Sequence, residues 1–139
     1  MPERASATAS LPIPHREPFL FLSEVHEVAA EAGLFSYEFP RQGDSFSLRL
    51  FPELLSVEAM AQAAAAFHGM AQSGEPEDGL LASVDKVRFS GQARPGDRLT
   101  IKIRRKKVFG DLVMLDGEVW VHHRMITQGE IVVRRGATE

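Results

Sequence analysis

Pro52-Glu53-Leu54-Leu55-Ser56-Val57-Glu58-Ala59-Met60-Ala61-Gln62-Ala63-Ala64-Ala65-Ala66-Phe67-His68-Gly69-Met70 is the stretch that decides the fold. Proline at a first helical position costs no hydrogen bond, because that amide has no intrahelical partner in any case. From Glu53 to Met70 almost every residue is a good helix former. Leu54, Leu55, Val57, Met60, the run Ala63 to Ala66 and Phe67 put apolar groups on nearly every face. A helix that is apolar all round is a buried one. Gln72 to Gly79, with Gly74, Pro76 and Gly79, ends it.

One such helix needs something wrapped around it, and the flanking sequence supplies strands. Upstream, Phe19 to Val28 is rich in apolar and β-branched residues and predicts a strand. Glu31-Ala32-Gly33 is a turn, and Leu34 to Phe39 predicts a half-buried strand. There Phe35, Tyr37 and Phe39 share one side, with Ser36 and Glu38 on the other. Together they form a hairpin. Downstream, Leu80 to Val84 and Val87 to Phe89 make a first β segment, and Pro95-Gly96-Asp97 suits a type II turn. Leu99, Ile101 and Ile103 then alternate with Thr100, Lys102 and Arg104. Val108 to Asp111 reads as a turn, Leu112 to Val121 as a long strand, and Met125 to Arg134 as a last one. The order predicts an α+β fold, a curved antiparallel sheet wrapped around one long central helix.

Bulk composition narrows the function. The 139 residues suit one domain, assigned to 11–139, behind a polar, Ala/Ser-rich lead-in over 1–10 that is expected to be disordered. That lead-in has no apolar core and does not resemble a signal peptide. No apolar run reaches ~18 residues, so no membrane span is expected. There are no cysteines, which excludes disulfides, thiol catalysis and thiolate metal sites and fits a cytoplasmic protein. Net charge is −3, and the dense basic cluster Arg104 to Lys107 has no interleaved aromatics. It reads as a strand end and turn facing water, not as a nucleic-acid surface. His122 and His123 fall between strands as turn residues. The five histidines show no metal-ligand spacing, and no Gly-rich loop points to a nucleotide, so neither metal nor other cofactor is expected.

Four motifs, in order, resemble those of the bacterial (3R)-hydroxyacyl-acyl-carrier-protein dehydratases. They are Pro14-His15-Arg16-Glu17-Pro18-Phe19-Leu20, Glu58-Ala59-Met60-Ala61-Gln62, Asp85-Lys86-Val87-Arg88-Phe89 and Pro95-Gly96-Asp97. The resemblance implies a hot-dog fold working as a homodimer or larger homo-oligomer. It also implies an acyl tunnel between subunits that takes thioesters of acyl carrier protein or coenzyme A. The family's chemistry uses a loop histidine as base at C2 and a helix carboxylate, given by the other subunit, at the C3 hydroxyl. Backbone amides at the helix N-terminus hold the thioester carbonyl.

Carried over residue by residue, Glu58 is the helix carboxylate. Pro52, Glu53 and Leu54 form the substrate-holding helix start, and Gln62 shares the face of Glu58 one turn on. Counting fourteen residues back from Glu58, where the family has its histidine, reaches Asp44, preceded by Gly43 as in the family's Gly-His step. The base loop therefore departs from the pattern, with Ser45-Phe46-Ser47 following it. His15 belongs to the opening motif and is not the base.

Asp44 is either a replacement base or a turn residue of a Gly/Ser loop. Glu58 is either catalytic or paired across a subunit interface, and Gln62 is a pocket residue or a structural hydrogen-bonder. A dehydratase of fatty-acid or polyketide type leads, with a lower rate if nothing replaces a base worth ~10²–10⁴. The alternatives are a hot-dog thioesterase using Glu58 alone, or a non-catalytic acyl-thioester-binding subunit paired with an active homologue.

Overall fold

The computed structural model describes residues 22–39, 53–72 and 80–134. The elements are β1 (Glu24–Val28), β2 (Ala32–Glu38), α1 (Glu53–Gln72), β3 (Leu80–Phe89), β4 (Arg98–Phe109), β5 (Leu112–Val121) and β6 (Arg124–Arg134). The strands form one six-stranded sheet in the order β1-β2-β4-β5-β6-β3, and every neighbouring pair is antiparallel. The helix packs against one face of it. This is the hot-dog arrangement that the sequence motifs implied.

Strict alternation builds the core face. In β5 the side chains of Val113, Leu115, Val119 and Val121 are buried, and Leu112, Met114, Asp116, Glu118 and Trp120 are half-buried on the opposite face. β4 contributes Leu99, Ile101 and Ile103 to the same layer, and β6 adds Ile131 and Val133. The helix answers these branched residues with small ones. Ala59, Ala63, Ala64 and Ala66 are fully buried, so the backbone of α1 lies close to the sheet.

Two glycines mark the closest approaches. A Cβ on Gly33 of β2 would stand 2.9 Å from the Phe67 ring and 2.8 Å from that of Phe35. One on Gly117 of β5 would stand 2.9 Å from Met60 Sδ. The helix therefore crosses the sheet with its middle over β5 and its C-terminal half over β2. The Arg94–Asp97 turn closes with Asp97 N–H donating to the Arg94 carbonyl at 2.9 Å, and Gly96 has φ +90°. That conformation is the one a type II turn demands of its third residue.

Several details differ from the sequence reading. β3 is a single strand, although its register slips between Asp85 and Arg88, where Lys86 sits at φ +54°. That bulge is the break seen in the sequence between Val84 and Val87. Val108 and Phe109 belong to β4, and the turn is Gly110-Asp111 alone. Arg104 to Lys107 consequently lie within a strand rather than at its end. Arg105 turns inward and covers the Phe67 ring at 5.6 Å, and Lys106 reaches over β5 to Glu130 at 2.7 Å and Asp116 at 3.8 Å. Ser36 is buried despite lying opposite Phe35 and Tyr37. The lead-in 1–10, the opening motif 14–20 and the loop 40–47 lie outside the described residues.

Gly33→Ala should lower stability by about 1–3 kcal/mol, because two rings rather than a flexible chain end must move aside. A urea midpoint reduced at unchanged slope would register it. The Lys106 ammonium, by its hydrogen bond, holds the Glu130 carboxyl below its usual range, and Glu130 in turn raises Lys106. A depressed carboxyl stabilises the fold above its unfolded-state pKa and ceases to do so as pH falls through the folded value. Melting scans should therefore find Glu130→Gln less stable than wild type near neutrality, with the gap closing in acid and shrinking in high salt.

Candidate active site

The first turns of α1 carry the chemistry-bearing residues. Ser56 faces the sheet and shares a 2.7 Å hydrogen bond with the hydroxyl of Thr127 on β6, both side chains being 1% exposed. That bond clamps the helix start to the sheet. Two residues on, about 200° around the helix, Glu58 faces away from the sheet and is half-buried. Gln62, one turn further and 1% exposed, donates from Nε2 to Glu58 Oε2 at 3.0 Å. A buried amide thus holds one oxygen of the carboxylate. Val57, Glu58, Ala61 and Ala65 form a half-buried stripe on the side of α1 opposite the sheet.

Glu53 and Leu54 open the described helix, so their backbone amides are among the first-turn N–H groups that no helical carbonyl can accept. Pro52, Gly43 and Asp44 lie outside the described residues. The described chain thus brings together Glu58, Gln62 and the helix start. His68 is buried in α1 ten residues beyond Glu58, ~15 Å along the axis.

A polar group not singled out from the sequence joins three strands. The Arg98 guanidinium donates to Glu24 at 3.0 Å and to His26 Nε2 at 2.9 Å, and Ser36 Oγ lies 2.8 Å from the same ring nitrogen. Serine and histidine this close invite comparison with a nucleophile and its base. The geometry argues otherwise, because Glu24 also approaches Nε2, at 3.6 Å, instead of orienting the ring through Nδ1. Ser36 is also only 1% exposed. The cluster ties β1, β2 and β4 together. Its sequence signal was Glu24 and His26 at the two-residue spacing that shares a strand face.

A cavity of about 730 Å³ opens at the end of the sheet nearest the helix start, lined in part by Gly91, Arg94, Asp97, His122 and Arg124. A smaller one, about 240 Å³, lies by Lys86, Asp116 and Glu130 on the face away from the helix. Glu58 and Gln62 are among the lining residues of neither. No cluster of metal-ligating side chains occurs among the described residues. Likewise, no described helix is long and apolar enough to cross a membrane.

Comparison with known proteins decides the family. The profile of the ApeP-like family, described as ApeP dehydratase, matches residues 8–138. The chain belongs to the ApeP-like dehydratase family. It is also similar to the 3-hydroxyacyl-[acyl-carrier-protein] dehydratase FabZ of Sulfurimonas denitrificans. The two are 30% identical over 131 residues, spanning 86% of this chain and 88% of that protein. The FabZ of Clostridium perfringens is likewise 30% identical, over 89% of this chain and 93% of its own length.

Among solved structures, the dehydratase heterocomplex ApeI:P from Xenorhabdus doucetiae superposes with a TM-score of 0.77 at 19% identity. The match covers 92% of this chain and 90% of that one. A hypothetical thioesterase protein with coenzyme A from Streptococcus pneumoniae gives 0.64 at 10% identity, over 84% and 87%. At those identities the structures attest the fold of this ApeP-like chain and not its chemistry.

The Ser56–Thr127 clamp yields a double-mutant test. Ser56→Ala and Thr127→Val should each cost about 1–3 kcal/mol, since each leaves a buried hydroxyl or its site unsatisfied. The double variant should cost clearly less than the two together. Chemical denaturation of the four proteins measures the coupling.

Proposed function

We propose that this chain removes water from 3-hydroxyacyl thioesters, carried on acyl carrier protein or coenzyme A, in fatty-acid or polyketide-type synthesis in the cytoplasm. The observation that carries the reading is Glu58. It is a carboxylate held by a buried amide on an otherwise apolar helix, in a chain of the ApeP-like dehydratase family. Dehydration needs a base for the C2 proton, an acid for the departing C3 hydroxyl, and donors for charge developing on the thioester oxygen. Glu58 serves the hydroxyl, and the amides at Glu53 and Leu54 serve the carbonyl oxygen, favoured by the positive end of the helix dipole. Asp44, beside Gly43, takes the place of the base, and Pro52 shapes the helix start.

The working unit in this proposal is a homodimer. The half-buried stripe of Val57, Ala61 and Ala65 beside Glu58 leaves an apolar helix face for a second protomer. β3 is an outer strand of ten residues, against five for β1 at the other edge, so it offers the longer row of backbone groups for sheet extension. Joining there makes one continuous sheet and encloses an acyl tunnel into which Glu58 points, near the partner's 43–44 loop.

A second reading is supported by the family itself. One fold neighbour is a dehydratase heterocomplex, and the count of fourteen residues back from Glu58 puts Asp44 in the place of the expected histidine. A subunit that binds acyl thioesters beside an active homologue would retain the fold without the base.

Purified protein offered a 3-hydroxyacyl thioester, with enoyl product and free thiol both followed, separates the readings. The proposal expects enoyl product, a loss of ~10²–10⁴ in rate for Glu58→Gln and a comparable loss for Asp44→Asn. It also expects activity to persist below about pH 6, where a histidine base would be protonated. Unchanged dehydration in Asp44→Asn would return Asp44 to an ordinary loop residue. Free thiol without enoyl product would make the chain a thioesterase. Binding without either product would make it the partner subunit.

A further inference from the structure

The β4-β5 hairpin ends in a group of side chains that the dehydration chemistry does not use. Val108 and Phe109 are 47% and 49% exposed, although both are large and apolar. Among the described residues the third such side chain, Phe89, lines the cavity at the far end of the sheet. Val108 and Phe109 are consecutive in β4, so one projects from each face of the hairpin. The turn beyond them adds no bulk, for Gly110 sits at φ +56° with open space where a Cβ would be. β2 accompanies β4 only as far as the Ala32–Arg104 pair, so the last residues of β4 have β5 alone beside them. The hairpin therefore ends in an apolar wedge.

Positive charge stands directly behind the wedge, where Arg104-Arg105-Lys106-Lys107 leads into it. Two of the four are engaged, Arg105 over the Phe67 ring and Lys106 with Glu130 and Asp116. Arg104 and Lys107 have no carboxylate partner among the described residues, and the Lys107 ammonium lies 5.8 Å over the Phe109 ring. Asp111, the carboxylate of the turn, is paired with Arg134 at 3.8 Å. The tip is thus cationic in a chain whose net charge is −3. An apolar point with an ammonium beside it complements a bilayer surface, where anionic headgroups overlie apolar chains. The lysine stem can lie along the aromatic ring while its charged head stays at headgroup level. An added protein strand fits this edge poorly. Lys106 and Lys107 stand along it, and a wedge apolar on both faces offers no single face to cover.

We propose that the β4-β5 tip is a contact for an anionic lipid surface, with Val108 and Phe109 entering the headgroup boundary and Lys107 meeting the lipid phosphates. β4 runs from Arg98, at the cavity end of the sheet, to Phe109 at the tip, ~35 Å away. Docking by the tip therefore leaves the helix start and Glu58 open to water. The contact is interfacial rather than spanning, and it does not depend on which reaction the chain performs.

Sedimentation of the full-length protein with lipid vesicles tests it. Binding should be weak on phosphatidylcholine alone and stronger when phosphatidylglycerol is mixed in equally, and high salt should remove the gain. On the mixed vesicles Phe109→Ser should weaken binding about tenfold, and Lys107→Gln about fivefold. Arg104→Gln should do less, since Arg104 lies three residues and ~10 Å further from the wedge, about one Debye length. The chain has no cysteine, so Val108→Cys supplies a single thiol for a polarity-sensitive dye. Its emission should shift to the blue on the mixed vesicles. The same dye on His123→Cys, in the exposed β5-β6 turn at the other end of the sheet, should not respond.

Equal binding to neutral and mixed vesicles would overturn the proposal. So would Phe109→Ser and Lys107→Gln variants that bind like wild type, or dyes that respond at both positions or at neither. A tip dye that answers to an acidic carrier protein, or to rising concentration of the chain itself, and not to vesicles would also overturn it, assigning the wedge to a protein partner or to a second copy.

Discussion

A helix with no polar side must be covered, and that requirement organises everything else in this protein. Alanines at 59, 63, 64 and 66 bring the backbone of α1 close to the sheet, and Gly33 and Gly117 on the sheet remove the atoms that would prevent it. Close packing of this kind tolerates little change in volume. It also fixes where along the helix any functional group can sit. Glu58 can be half-exposed only because it lies on the stripe opposite the sheet, and it is oriented because Gln62 is buried one turn away.

The same constraint explains how the helix start becomes a site. Apolar contacts hold α1 against the sheet, with Phe67 over Gly33 and Met60 over Gly117 limiting how far it can slide. The Ser56–Thr127 hydrogen bond is directional and buried, so it sets the axial position of the first turn. The amides proposed to meet a thioester oxygen, and the carboxylate two residues beyond the clamp, inherit that position. The arginine-lined cavity is tied to it through β6, which carries Arg124 and Thr127 three residues apart.

Much of this was legible in the residues. The all-apolar helix, the limits of β5, the Pro-Gly-Asp turn and the irregularity near Lys86 follow from local patterning, because each depends on neighbours in sequence. The Glu58–Gln62 pair was legible for the same reason, being four apart on a helix. What could not be read depends on distant partners. Ser56 and Thr127 are 71 positions apart. Ser36 is buried on the polar face because His26 and Arg98, from two other strands, close over it. Arg105 follows Leu99, Ile101 and Ile103 onto the helix-facing side by plain alternation, but its place over Phe67 depends on a helix 38 positions away. Gly91, Arg94, His122 and Arg124 come from separate segments and form a cavity only once β3 and β6 are joined. Gly43, Asp44 and Pro52 belong to segments outside the described residues, so the sequence count remains the basis for their roles.

The two-residue turns that separate β4 from β5 and β5 from β6 also set an order of assembly. Each connects neighbours in sequence, so the β4-β5-β6 meander closes short loops at small entropic cost. β3 is different, because it precedes β4 yet pairs with β6 and has to reach past two intervening strands to do so. Contacts of such long sequence separation form late. β2 joins β4 from still further back in the sequence, so β2 and β3 are the strands that dock onto the meander after it has closed. Amide hydrogens of β3 would then exchange ahead of those in β5, which lies inside the meander.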